Sequence, residues 1–246
     1  MTGQTVLLVL LGTCCAGFVS GLAGFAFGLI SLSIWVWSLD PHLLAPMVVF
    51  GSLIAQLVAF GAMRRSLDWR RLLPFVGGGA IGVPVGVLLL HSIDVATFRA
   101  TVGLVLVFYC SAMLLVAQLP PIRFGGQLAD AAIGLIGGTM GGLAGLSGPA
   151  PTLWCNLRGW ERDVQRGIFQ TFNLAMHAIT LTVYCLSGAL DGAMLQMFAL
   201  MLPAVLLPTW LGMQLYRRLS DTLFRRLILG LLLLSGAVLL GTTLLR

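Results

Sequence analysis

The stretch Gly141-Gly142-Leu143-Ala144-Gly145-Leu146-Ser147-Gly148-Pro149 lies inside an apolar run that extends from about 131 to 155. Glycine lets a chain turn, and proline suits the first turn of a helix, where its missing N–H would have no partner. The run therefore reads as two helical pieces meeting at a bend. A second bend stands 121 residues earlier, where Gly21-Leu22-Ala23-Gly24 matches Gly142-Leu143-Ala144-Gly145. At the same shift Gly17 meets Gly138, Asp40 meets Glu161, Ser52 meets Asn173 and Gln56 meets His177. With about five residues added in the second copy, Gly86 meets Gly212 and Phe98-Arg99 meets Phe224-Arg225. Matches that keep their order over roughly 100 residues favour a duplication.

The chain around these bends has 246 residues, 59% hydrophobic and only 9% charged, with a mean hydropathy of +1.01. A soluble domain carries about 25% charged residues, so a free soluble enzyme, a disordered protein and a disulfide scaffold are all excluded. Apolar segments fall at about 5–37, 43–63, 72–90, 100–117, 131–155, 167–187, 193–215 and 227–245. They are continuous runs of helix-spanning length rather than the alternating strands of an outer-membrane barrel. The expected class is an all-α polytopic membrane protein whose first segment is retained, since no basic n-region precedes it. The five cysteines form no spaced group with histidine, so neither metal nor another cofactor is expected.

Charge orients the copies. The net charge of +6 comes from arginine alone. Its clusters, at 64–71 and 216–226, suit anchoring at the cytoplasmic interface rather than nucleic-acid binding. The 64–71 loop holds four arginines and one aspartate, whereas its counterpart around 188–192 holds only Asp191. The 91–99 loop is neutral, whereas its counterpart at 216–226 again has four arginines and one aspartate. If positive loops stay inside, equivalent loops face opposite sides and the copies are inverted. Inversion requires an odd number of crossings per copy. Each copy is then a re-entrant or broken Gly-rich hairpin plus three transmembrane helices, with 1–117 as the first repeat, 118–130 a linker and 131–246 the second. Eight ordinary spans are the competing arrangement.

A helix interrupted in lipid must cover its free backbone groups with protein or a wet cavity. The start of the outgoing piece at Pro149 presents N–H donors and partial positive charge, a setting for an anion, with Ser147 and Thr152 adding hydroxyls. In the first copy Phe25-Ala26-Phe27-Gly28 precedes Ser31 and Ser33 in the same arrangement. Gly24, Gly28, Gly145 and Gly148 would let backbone approach the guest. Ser52 and Gln56 share one helix face, and Gln170, Asn173 and His177 share another. Polar groups in mid-membrane are costly and point at partners or a pathway. An imidazole is the side chain whose ordinary pKa lies nearest neutrality, so His177 is a candidate for coupling to a proton, with sodium the other candidate ion.

Two copies of a Gly-rich broken segment, the Gly142 to Pro151 stretch and four apolar segments per copy together resemble the sulfite exporter TauE/SafE family, also called toluene sulfonate uptake permeases. The resemblance implies a multi-pass secondary transporter of the bacterial inner membrane, carrying sulfite, sulfonates or related organosulfur anions. It points to the Gly21–Gly28 and Gly142–Pro149 turns as the substrate region, with Phe25 and Phe27 in place of small residues in the first copy. Two rival readings remain. Gly145-Leu146-Ser147-Gly148 with His177 looks like the serine–histidine pair of a rhomboid intramembrane protease, although such a dyad gives no reason for the second, serine-free bend. A non-transporting scaffold explains packing glycines but not paired polar residues at mid-span.

Overall fold

The computed structural model describes residues 3–23, 26–60, 68–116, 120–122, 124–216 and 221–244. Among these residues the regular structure is wholly helical. The first half contributes α1 (Gly3–Ala23), α2 (Phe27–Trp35), α3 (Pro41–Phe60), α4 (Trp69–Ser92) and α5 (Val95–Leu115). The second contributes α6 (Gly126–Ala144), α7 (Pro149–Leu157), α8 (Arg162–Leu186), α9 (Gly192–Tyr216) and α10 (Asp221–Leu244). Helices α1, α3, α4, α5 and α9 hold stretches of 19 to 24 residues long and apolar enough to cross a membrane. A helix satisfies its own backbone hydrogen bonds, which hydrocarbon cannot do for it. Large apolar side chains such as Ile81, Leu88 and Leu207 stay exposed on the outside, as a lipid-facing surface requires.

Both Gly-rich bends are helical hairpins. The short helix α2 runs back along α1, and the Trp35 indole N–H donates to the Leu8 carbonyl at 3.3 Å. In the second hairpin α7 runs back along α6, where Gly137 and Gly141 lie against Ser147. The Trp154 indole there donates to Asp130 Oδ1 at 2.7 Å. Each short arm has nine residues, about 14 Å of helix, which is roughly half a hydrocarbon core. Asp130 thus belongs to the first turns of α6 and is buried.

Helix α4 relates the two hairpins. Near its start Arg71 lies over the Trp160 ring and Phe75 meets the same ring edge-on, beside the α7–α8 junction. Near its end His91 stands 6.1 Å from His42 at the start of α3. Arg99, at the start of α5, donates to the carbonyls of Val36 and Trp37 just beyond α2. The mouth of the second hairpin therefore lies at one end of α4 and the mouth of the first at the other. Their tips meet between: a Cβ on Gly28 would stand 3.0 Å from the Gly145 carbonyl oxygen.

Packing is reciprocal between the halves. Helix α1 packs on α9 as α6 packs on α4, α3 meets α9 as α8 meets α4, and α5 packs on α10. Glycine makes the closest approaches possible, as small residues do between membrane helices. Gly17 lies against Val205 and Gly138 against Gly79; Gly21 against Thr209 and Gly142 against Val83; Gly212 against Phe18 and Gly86 against Thr139. At Gly21, Gly142, Gly86 and Gly212 an added methyl would overlap a backbone carbonyl of the facing helix.

Candidate functional site

The second hairpin turns on Gly145, whose φ of 70° and ψ of 17° form a left-handed cap on α6. Its N–H donates to the Gly141 carbonyl at 2.8 Å, and the next amide, of Leu146, donates to Met140 at 3.2 Å. Such a cap satisfies carbonyls that the helix end would leave open. The chain then passes through Ser147 and Gly148 into α7, which opens with Pro149 at its first position. Pro149 and Pro151 carry no N–H, so the donors at this end are fewer than at an ordinary helix start. Among the described residues the amides of Ser147 and Gly148 make no backbone hydrogen bond.

Ser147 is the hub of a buried polar group. Its hydroxyl donates to Asn173 Oδ1 at 3.0 Å and lies 3.3 Å from His177 Nε2. A serine has one proton to give. With that proton on Asn173, the contact to His177 requires Nε2–H to donate to the hydroxyl, leaving Nδ1 as a lone-pair acceptor. That Nδ1 is buried without a hydrogen-bond partner, as is the hydroxyl of Thr152 one turn into α7. Gly148 completes the contact, since a Cβ there would stand 3.0 Å from Asn173 Nδ2. Ser147, Asn173 and His177 are all neutral donors and acceptors, shielded from solvent. A buried polar cluster of this kind is electrostatically strong because little water screens it.

The remaining expected residues that are described lie on α2, α3 and α8. Gln170 is buried on α8, three residues before Asn173. Ser31 is buried on α2, but its hydroxyl donates back to the Phe27 carbonyl at 2.8 Å, within its own helix. Ser52 and Gln56 are buried on α3, where the adjoining Gly51 receives the Phe27 ring. Gly28 and Gly145 share a wall formed by Val48 of α3. Gly24 and Phe25 lie outside the described residues.

Two neighbours extend the cluster beyond the sequence reading. Thr180 is buried with a partnerless hydroxyl, and the Tyr184 hydroxyl donates to the Gly142 carbonyl. Both continue the spacing of Gln170, Asn173 and His177 along one face of α8, so the periodicity already pointed to them. Among the described residues no group of three or more His, Cys, Asp or Glu side chains is placed to hold a metal.

A bent hairpin in each half, the tips in contact and a neutral polar cluster behind one of them occur here in a chain of apolar spans. The sequence model of the sulfite exporter TauE/SafE family matches residues 9–239, nearly the whole length. The chain belongs to that family. It is accordingly a multi-pass membrane transport protein, of a family of transporters rather than enzymes. No curated protein and no solved structure matches it.

Proposed function

We propose that this TauE/SafE protein is a secondary transporter of a small anion, sulfite or a sulfonate, that binds between the two hairpin tips of inverted repeats. The observation that carries the reading is the Ser147–Asn173–His177 cluster behind the Gly145 turn. The Asn173 amide N–H groups and the neighbouring partnerless Thr152 hydroxyl are neutral donors, which hold a small anion without the charge that would trap it, and the Ser147 hydroxyl and His177 N–H keep the amide oriented. Support for the inverted repeat comes from the reciprocal glycine contacts and from mouths lying at opposite ends of α4. Gly28, Gly145 and Gly148 bring backbone to the guest, and Ser147, Thr152, Gln170, Asn173 and His177 line its second-repeat side. Gly24, Phe25, Ser31, Ser52 and Gln56 serve the first-repeat side.

Rocking of one repeat against the other exposes the site to each side in turn. The arginine-rich end faces the cytoplasm of a bacterial inner membrane. His177 Nδ1 is the atom that takes up a coupled proton. A protease reading is not favoured, because the Ser147 proton goes to Asn173 and the imidazole donates to the hydroxyl instead of accepting from it. In proteoliposomes the purified protein should show saturable counterflow of sulfite or a small sulfonate. Asn173→Leu with His177→Leu should cut it at least about tenfold, the effect of losing one or two buried hydrogen bonds. Unchanged counterflow in that double variant would remove the site from the mechanism.

A further inference from the structure

The geometry points to a second anion site, a docking vestibule at the mouth of the second hairpin, which we propose receives a tetrahedral oxyanion before it passes along α7. A groove of about 370 Å³ opens there, among Asp68, Arg70, Arg71, Asp130, Arg158 and Trp160. Three guanidiniums face two carboxylates. Each carboxylate already has a partner: Asp68 pairs with Arg71 at 3.0 Å, and Asp130 accepts from the Trp154 indole. The indole carries no charge, so Asp130 still offsets one guanidinium; with Arg71 matched by Asp68, Arg70 and Arg158 leave the groove with a net positive charge.

Arg158 is held ready rather than loose. Its Nη1 donates to the Phe124 carbonyl at 2.9 Å, and its guanidinium stacks 5.4 Å from the Trp160 ring and 5.8 Å from that of Trp154. Its Nε is buried without a hydrogen-bond partner. A guanidinium fixed in this way and lining an open groove offers N–H groups and charge to a sulfite, sulfonate or phosphate oxygen. Arg71 holds the other side, 4.8 Å from the Trp160 ring. Arg158 caps α7 and Ser147 precedes its first residue, so groove and central cluster stand about 14 Å apart along one short helix. At the opposite mouth Arg99 gives its Nε–H and one Nη2–H to the Val36 and Trp37 carbonyls. A positive vestibule on one side raises the local anion concentration and the encounter rate there, an effect that salt weakens.

This inference rests on the transport reading, and its test separates the two. Initial flux of sulfite is measured against concentration in oriented proteoliposomes for wild type and for Arg70→Gln/Arg158→Gln, at low and high ionic strength. The double variant should raise the half-saturating concentration about threefold to tenfold from the groove side only, keep maximal flux, and lose most of the salt dependence. An unchanged half-saturation and salt response would overturn the vestibule while leaving transport standing.

Direct calorimetric titration of the purified protein with ethanesulfonate or inorganic phosphate covers the case in which sulfite is not carried. Saturable binding lost in Arg158→Gln but kept in Asn173→Leu supports the groove; binding untouched by Arg158→Gln overturns it. Nanodiscs of phosphatidylglycerol and of phosphatidylcholine supply the last arm. If soluble anions bind only in phosphatidylcholine and no excess of them competes in phosphatidylglycerol, the groove is a lipid headgroup site and the vestibule is wrong. Equal binding in both supports it.

Discussion

Replacing Gly145 with alanine perturbs the place where the two hairpin tips meet, and its cost separates into two parts. The first is conformational. At a φ of 70° an L-residue costs roughly 1–2 kcal/mol. The second is steric, because the new Cβ would stand 2.5 Å from Val48 Cγ1 and 3.0 Å from Val48 Cβ, against about 3.5–4.0 Å for an ordinary carbon contact. Relieving an overlap of that size in packed surroundings costs about 1–3 kcal/mol. The total is about 2–5 kcal/mol, and the tip is pushed away from Val48. Val48→Ala removes the nearer clash but keeps the Cβ, so it should recover about 1–2 kcal/mol of the steric part and none of the conformational part. Equilibrium unfolding in mixed micelles with increasing dodecyl sulfate, run as a double-mutant cycle, reads this coupling; counterflow in proteoliposomes reads the function. Strictly additive costs, or wild-type stability and flux in Gly145→Ala, would refute the reasoning.

Three further outcomes are expected. Ser147→Ala leaves the Asn173 Oδ1 and His177 Nε2 without their hydroxyl, and should lower stability by about 1–3 kcal/mol while counterflow stays measurable; complete loss of flux in a normally folded variant would contradict a carrier. Trp154→Phe takes the indole donor from buried Asp130 and should cost more stability than Trp154→Phe made in an Asp130→Leu background, as read from thermal unfolding; equal costs would show that the bond contributes nothing. The Thr97 hydroxyl, and after it the amides of Thr97 and Ala96, hold the Asp94 carboxyl below the usual carboxylate range. A group depressed on folding stabilises above its unfolded pKa, about 3.9, and loses that contribution as pH falls through the lower folded value. The melting-temperature gap between wild type and Asp94→Ala should hold from pH 7 to 5 and shrink as pH falls below about 4; a gap that widens on acidification would be the wrong sign.

The second bend was legible in the sequence, because a Gly-rich run that breaks an apolar segment and ends in proline has few other uses in lipid; the break between α1 and α2 was legible only as a repeat of that run, since no proline follows it before Pro41. The sequence did not tell apart the jobs within each Gly-Leu-Ala-Gly. Gly142 lies against Val83 as a packing residue, while Gly145 makes the turn; one spacing serves both, and only the facing helix distinguishes them. Asn173 and His177 stood out as polar residues in an apolar span, and the structure brings both to Ser147. Thr180 and Tyr184 were missed although they continue the same helical face, since threonine and tyrosine are common in membrane helices and carry little signal singly. Asp130 was read as part of a linker. Its burial depends on Trp154, which lies 24 residues later and reaches it only because α7 folds back.

The most direct test of two oppositely opening hairpins is single-cysteine labelling from each side of the membrane, at His42→Cys and Gln127→Cys in a cysteine-free background. His42 stands by the mouth of the first hairpin and Gln127 by that of the second. An impermeant thiol reagent added outside the cell should modify position 42 alone, and position 127 should react only from the cytoplasmic face of inverted vesicles. Modification of both from the same side would contradict hairpins that open oppositely.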